Sequence, residues 1–405
     1  MRLRRGVSSS TAAGSVIAVA GVALALMVME LSLAIVTGFK DAIRAKVMGF
    51  EPELAVLPPY DVQTGLSADE FTAPPELRRD IEQTMPGAEV VASVRRHAVL
   101  KTDSDYMAVL CIGREPGYSA GFERRNIVAG RWPDFAAAQS DSVVVSADMA
   151  SAMRAEVGDR LFLYFFVDGE VKARRVHVAG IYCSHFHEFD RSVVYVPLSL
   201  AQGVGPDPKA VSRLEISGVP ADQIADAATE LQARLLTSYR SGSLDAVYPV
   251  DNVLRTGAIY FNWLDLLDTN VVVIFILMVC VAAFTLISSL FIIILDRVPT
   301  IGLLRSLGAP RSMVNDIFVA VSVRLTLAGM IIGNVAGLGL ALLQRYTHLL
   351  PLDPEMYYLP YVPVEINWWA MLALNAGVAV AAWLIVILPA RLASRIDPAS
   401  TMRYE

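Results

Sequence analysis

Cysteine is scarce, with three in 405 residues, so no disulfide scaffold holds this chain together. Charge is scarce too. Asp, Glu, Lys and Arg make up 18% of residues, where a soluble domain has about a quarter, and hydrophobic residues make up 55%. Those proportions exclude an ordinary soluble domain and a disordered chain alike. A net charge of −6 offers no basic surface, so nucleic acid is not expected as a partner. No Gly-Lys dipeptide occurs, so there is no Walker A loop, and any ATP-driven work must use another chain's ATPase. No Ser/His/Asp set or paired-carboxylate spacing suits catalysis. The expectation is a non-catalytic chain with no cofactor or metal of its own.

What is present is a set of long uncharged runs. Residues 16–36 carry one charge, Glu30; 271–295 carry none; 317–343 carry one, Arg324; and 368–388 carry none. About 20 apolar residues cross the hydrocarbon core of a bilayer, so four transmembrane helices are predicted. The first run is longer than a signal-peptide core and lacks a small-residue cleavage site, so it is read as a retained span. Residues 37–270 hold 23 of the 34 Lys and Arg and 32 of the 40 Asp and Glu, as a folded aqueous insert would.

Basic residues orient the spans. Arg2, Arg4 and Arg5 precede the first, Arg297, Arg305 and Arg311 follow the second, and Arg391, Arg395 and Arg403 lie in the tail, against Arg345 alone in 344–367. The N-terminus (1–15), the 296–316 loop and the 389–405 tail are therefore expected in the cytoplasm. The 37–270 domain and the 344–367 loop are expected outside. Within the insert, 53–57, 106–113, 161–167, 171–182 and 192–196 read as strands, with Asp168-Gly169 as a hairpin turn. Residues 76–84 and 221–235 read as helices, and 241–252 as a linker. The domain is α+β.

In the 296–316 loop, Pro299 suits a helix start, Gly308 a stop, and Pro310 follows. Ile301, Leu304 and Leu307 fall on one face. A short amphipathic helix is predicted, either covering the end of the bundle or docking into an ATPase groove.

The segment Ile301-Gly302-Leu303-Leu304-Arg305-Ser306-Leu307-Gly308-Ala309 resembles the "IGILRALGA" coupling motif of the FtsX-like permeases, which include LolC, LolE and MacB. Val19-Ala20-Gly21-Val22-Ala23-Leu24 with Gly38-Phe39 resembles their first span. Val178-Ala179-Gly180-Ile181-Tyr182 and Glu188-Phe189-Asp190 resemble the outer domain of the LolC/LolE lipoprotein-releasing branch in its Bacteroidota form. Pro351-Leu352-Asp353-Pro354, Ile396-Asp397-Pro398-Ala399 and Arg403-Tyr404-Glu405 fit that form as well. Thr300 departs from it, since many members carry an acidic residue there.

The resemblance implies a MacB/FtsX-like permease of the inner membrane that extracts lipoproteins and passes them to a LolA-like periplasmic carrier. A cytoplasmic ABC ATPase would bind ATP and Mg, and a second permease chain, identical or paralogous, would complete the complex. It places ATPase coupling at Ile301, Gly302, Leu303, Leu304, Arg305, Ser306, Leu307 and Gly308. It places carrier docking at His185, Phe186, His187, Glu188 and Phe189, with Phe186 and Phe189 as exposed contacts; the other reading of this loop is an ordinary connection between strands. The alternatives are MacB-like efflux, FtsX-like signalling, and a four-span receptor or scaffold with a ligand-binding outer domain.

Other residues carry two readings each. Gly329, Gly333 and Gly337 form a close-packing face, within the chain or across a dimer. Glu30 lines a cavity or lies near the outer headgroups. Arg324 snorkels to the interface. His185 and His187 lack a third metal ligand. Cys111 and Cys183 share the outer compartment, and a bridge between them is left open.

Overall fold

The computed structural model describes residues 4–60, 68–135, 141–167 and 169–393. Arg2, Asp168, Arg395, Arg403 and the tail motifs named above lie outside them.

In chain order the elements are α1 Arg4–Phe50, β1 Leu54–Val56, α2 Pro75–Thr84, β2 Glu89–Lys101, β3 Tyr106–Arg114, α3 Gly121–Arg125, β4 Ile127–Gly130, β5 Ser142–Ser146, α4 Ala147–Met153, β6 Arg160–Val167 and β7 Glu170–Tyr182. Then come α5 His187–Asp190, β8 Val193–Pro197, α6 Leu198–Gln202, β9 Arg213–Ser217, α7 Ile224–Arg240, β10 Val250–Asn252, α8 Val253–Thr256, α9 Ala258–Ser306, α10 Arg311–Thr347, α11 Pro354–Tyr357 and α12 Trp368–Ala393.

Among the described residues four helices are long and apolar enough to cross a membrane: Ala13–Phe50, Ala258–Leu304, Asn315–Thr347 and Trp368–Val386. α1 and α9 run to 47 and 49 residues. At about 1.5 Å per residue each is roughly 70 Å long, far more than the bilayer core demands.

The chain forms two compact units. One holds residues 1–42, 263–351 and 361–405, the membrane helices. Apolar clusters fill much of its interior: Ala25, Leu26, Met29, Ala282 and Val378 form one, and Ala34, Ala341, Val364 and Met371 another. The other unit holds residues 43–262 and 352–360, so part of the expected 344–367 loop belongs to the insert.

The insert is built on a ten-stranded mixed sheet in the order β10-β1-β9-β2-β3-β8-β5-β7-β4, with β6 pairing β2 and β7. β6 and β7 form the expected hairpin, with Val167 opposite Glu170 and Gly169 at φ +78°. β3–β8 and β5–β7 are parallel. α2 and α7 lie together, burying Leu77, Ile81, Leu231 and Leu235.

The sequence reading missed β2, the strand that β3, β6 and β9 pair with. Five consecutive residues of it are buried, so it shows no alternation, and its Arg95, Arg96 and His97 look like a surface stretch. The expected linker at 241–252 ends in β10, which pairs with β1, and Tyr248 within it is buried.

Candidate functional site

Three places carry the residues singled out in the sequence. The first is the end of α9. The expected separate helix starting at Pro299 does not form. Pro299 lies inside α9, which runs on to Ser306. Proline removes one backbone donor, but Ile301 beyond it is buried with Ile293, Ile294 and Phe318, and that packing carries the helix through. The stop occurs as expected. Gly308 takes φ +93°, and the Ala309 N–H donates to the Leu304 carbonyl at 3.0 Å, as in a Schellman cap. Ile301, Leu304 and Leu307 do not share one environment. Ile301 is buried and Leu304 half-buried, while Leu303 and Leu307, one turn apart, are 62% and 78% exposed. Gly302 is half-buried, and Ser306 is exposed with its hydroxyl donating to the Leu303 carbonyl at 2.8 Å.

The second place is residues 183–190, where the expectation of two exposed aromatics fails. Phe186 is 0% exposed and Phe189 half-buried. The Phe186 ring centroid lies 4.7 Å from Tyr358, 5.0 Å from Phe189, 5.3 Å from Tyr260 and 6.2 Å from Phe50. Phe50 stacks on Phe189 at 4.4 Å. Four segments thus meet in one aromatic knot: the end of α1, this loop, the start of α9 and the 352–360 loop. The cause is local. The buried Asp190 carboxylate accepts from the Ser184 N–H at 3.0 Å and its hydroxyl at 2.6 Å, and the Phe186 N–H donates to that hydroxyl at 3.0 Å. This turn points Phe186 inward.

Lys46 of α1 locks the knot, donating to the Ser184 carbonyl at 2.5 Å and the Tyr358 carbonyl at 2.6 Å. Burial pushes its ammonium down to about 8, with Asp190 and Cys183 opposing the shift. His187 pairs with Asp148 at 2.5 Å, and the Tyr260 hydroxyl donates to Glu188. His185 is exposed, and burial of part of its ring with Lys46 beside it lowers its basicity. Among the described residues no group of three or more His, Cys, Asp and Glu could hold a metal. Cys111 and Cys183 are free thiols.

The sequence reading missed an ionic cluster beside the knot. Glu51, just past α1, receives Arg95 at 2.7 and 3.1 Å and Arg213 at 2.8 Å. Arg213 also donates to Glu215 at 2.9 Å, as does the Ser93 hydroxyl at 2.8 Å. Arg114, fully buried, pairs with Glu215 and lies 3.5 Å from Glu123. Three carboxylates face three guanidiniums, which satisfies charges that burial would otherwise forbid. Burial alone would raise the Glu215 carboxyl; Arg114, Arg213 and Ser93 hold it at about 2. Burial keeps Glu51 above the usual carboxylate range despite Arg213. No sequence spacing joins residues 51, 95, 114, 123, 213 and 215; only the sheet register does.

The third place is the glycine face. A Cβ on Gly329 would lie 2.8 Å from the Val22 Cβ, one on Gly333 2.8 Å from the Ala23 carbonyl, and one on Gly337 would collide with the Glu30 carboxylate. The face packs on α1 of the same chain. Glu30 is 1% exposed, buried inside the helix bundle rather than lining an open cavity. Arg324 is exposed.

Four membrane-length helices with one large α/β domain between the first and second define a multi-pass membrane protein. Residues 15–234 match the MacB-like periplasmic core domain and residues 272–398 the FtsX-like permease C-terminal family, and the chain belongs to these MacB/FtsX-like permeases, the membrane subunits of ABC transporters. It is 24% identical to the "lipoprotein-releasing system transmembrane protein LolC" of Neisseria meningitidis serogroup B, over 96% of this chain and 94% of that protein. It is 22% identical to the LolC of Xylella fastidiosa over the same shares. A LolE of Haemophilus influenzae is 24% identical over 38% of this chain and 39% of its own length. Among solved structures, the extracellular domain of YknZ covers 50% of this chain and 99% of its own, with a TM-score of 0.32 and 21% identity. The periplasmic region of MacB from Actinobacillus actinomycetemcomitans covers 52% and 92%, with a TM-score of 0.34 and 13% identity.

Proposed function

We propose that this chain is the permease subunit of a complex that extracts lipoproteins from the inner membrane and hands them to a soluble periplasmic carrier. The observation that carries the reading is similarity to LolC proteins over 96% of the chain, membrane helices and outer domain together. A separate cytoplasmic ATPase binds ATP with Mg and docks on the exposed Leu303 and Leu307. A second permease chain, identical or paralogous, closes the complex. Both termini and the α9–α10 turn face the cytoplasm, and the large domain faces the periplasm.

The mechanism needs little chemistry and much mechanics. Each acyl CH₂ drawn out of lipid costs about 0.8 kcal/mol, so extraction must be driven. α1 and α9 both end in the aromatic knot of the outer domain, through Phe50 and Tyr260. A turn of either helix therefore acts on the knot directly, with Lys46 and Glu51 resisting slippage. Residues 183–190 belong to this joint. The carrier contact moves to the β6–β7 hairpin, where Phe166 is 66% and Val171 59% exposed.

The test is co-purification of the full chain with its ATPase, followed by release of a radiolabelled lipoprotein from proteoliposomes to a soluble carrier. Release that needs ATP, this permease and the carrier supports the reading. ATP-dependent efflux of a small molecule with lipoprotein left in the bilayer would overturn it.

A further inference from the structure

Glu30 sits among apolar side chains with its polar partners on two other helices. Asn375 of α12 donates to Glu30 Oε1 at 3.3 Å. Asn375 and Asn334 of α10 exchange hydrogen bonds at 2.8 and 3.0 Å, and each also donates to its own helix, to Met330 and Met371. Glu30 Oε2 is buried, lies against Gly337 and has no hydrogen-bond partner among the described residues. Among the described residues Glu30 forms no ion pair. α10 presents Gly337 and Asn334, and α12 presents Asn375. Residues 271–295 of α9 carry no Asp, Glu, Lys or Arg, and the thiol there, Cys280, is exposed. Among the described residues no titratable group faces Glu30 from any helix packed on it.

An ionised carboxylate in such a place has one amide donor and no cation. Burying a lone charge costs far more than burying a neutral acid, and the usual outcome is neutralisation. A carboxyl inside a membrane bundle is a functional-site candidate by default. We propose that Glu30 is a proton-binding site that reports whether α1, α10 and α12 are packed. In the packed bundle it is a carboxylic acid. When the helices part and water reaches Oε2, the O–H bond breaks, the proton passes to water and the carboxylate is left hydrated. Repacking takes a proton back from water. Gly337 provides the room: any side chain there would occupy the place of the acid. Coupling of this exchange to an ATP-driven cycle rests on the permease reading; the proton site itself does not.

The test starts with the full chain alone in lipid nanodiscs, by infrared difference spectroscopy between wild type and Glu30→Gln. The expected result at neutral pH is a carboxylic-acid carbonyl band, shifted by deuterium exchange and missing in the variant. A difference spectrum containing only carboxylate bands would overturn the site. If Glu30→Gln does not assemble, Asn375→Leu takes its place. Loss of the hydrogen bond to Oε1 should move the acid band to higher wavenumber, and an unmoved spectrum would count against the proposal. The second arm uses the complex with its ATPase and a pH dye. Proton release on nucleotide-driven opening is expected from wild type and not from Glu30→Gln. An acid band in the first arm with no ATP-linked release in the second keeps the site and removes its role in the cycle.

Discussion

Phe186 shows what a single side chain does here. Flanked by His185, His187 and Glu188 it looks like a contact residue, yet it is the centre of the aromatic knot. Phe186→Ala should therefore cost about 3–5 kcal/mol of stability, as emptied aromatic sites do, and photocrosslinks from position 186 should stay within the chain. Thermal unfolding of the purified permease checks the first point; crosslinks to a carrier would refute the second. Glu215 gives a pH signature. Its carboxyl is held at about 2 in the fold, against about 4.3 in an unfolded chain. Between those values the unfolded chain binds more protons, so Glu215's contribution is present above that window and lost as pH falls through it. Glu51, whose carboxyl is raised, works in the opposite sense and offsets part of the acid loss. Glu215→Gln should leave Arg114 and Arg213 short of charge, cost about 3–5 kcal/mol near neutrality, and flatten the acid limb of the stability curve. Parallel curves for variant and wild type would contradict this. The residues of this cluster were each visible in the sequence, but their pairing depends on β2, β3 and β9 standing side by side.

Elements were legible to the degree that one local force decided them. The four spans follow from missing charge, and the Gly308 stop follows from a backbone conformation that glycine accepts without penalty. Pro299 misled because local propensity lost to the packing of Ile301 on Phe318. β2 was invisible because burial on both faces erases its alternation and its arginines are neutralised by distant glutamates. The end of α9 now supports a sharper contrast. Leu307→Asp should leave the fold intact and weaken ATPase binding by at least about 2 kcal/mol, roughly thirtyfold. Ile301→Asp should instead damage the helix bundle itself. Pull-down of the ATPase together with thermal unfolding separates the two, and equal binding by Leu307→Asp and wild type would move the docking site elsewhere. On α10, Gly333→Leu should force α1 away, because even a Cβ there meets the Ala23 carbonyl at 2.8 Å. The expected readout is loss of the assembled complex on native gels while the outer domain stays protease-resistant.

At the scale of the whole molecule, the proposed function requires the outer domain to meet a carrier, and its exposed apolar surface at the β6–β7 hairpin is where that reading places the contact. Phe166→Ser with Val171→Ser should reduce carrier crosslinking and lipoprotein release while leaving basal ATP hydrolysis intact. Unchanged release would exclude the hairpin. The length of α1 has its own consequence. It is 47 residues without a break, and Lys46 and Phe50 lie near its far end. A helix of that kind carries angular phase as well as force. One residue inserted after Gly38 would turn the helix beyond it by about 100° relative to the helix before it and advance it by about 1.5 Å. Seven inserted residues, close to two full turns, would restore the angle while lengthening the shaft by about 10 Å. If rotation is what reaches the outer domain, release should collapse with the single insertion and partly return with the seven. Changes of length in this stretch would then be tolerated only in steps near whole turns, as in a keyed axle.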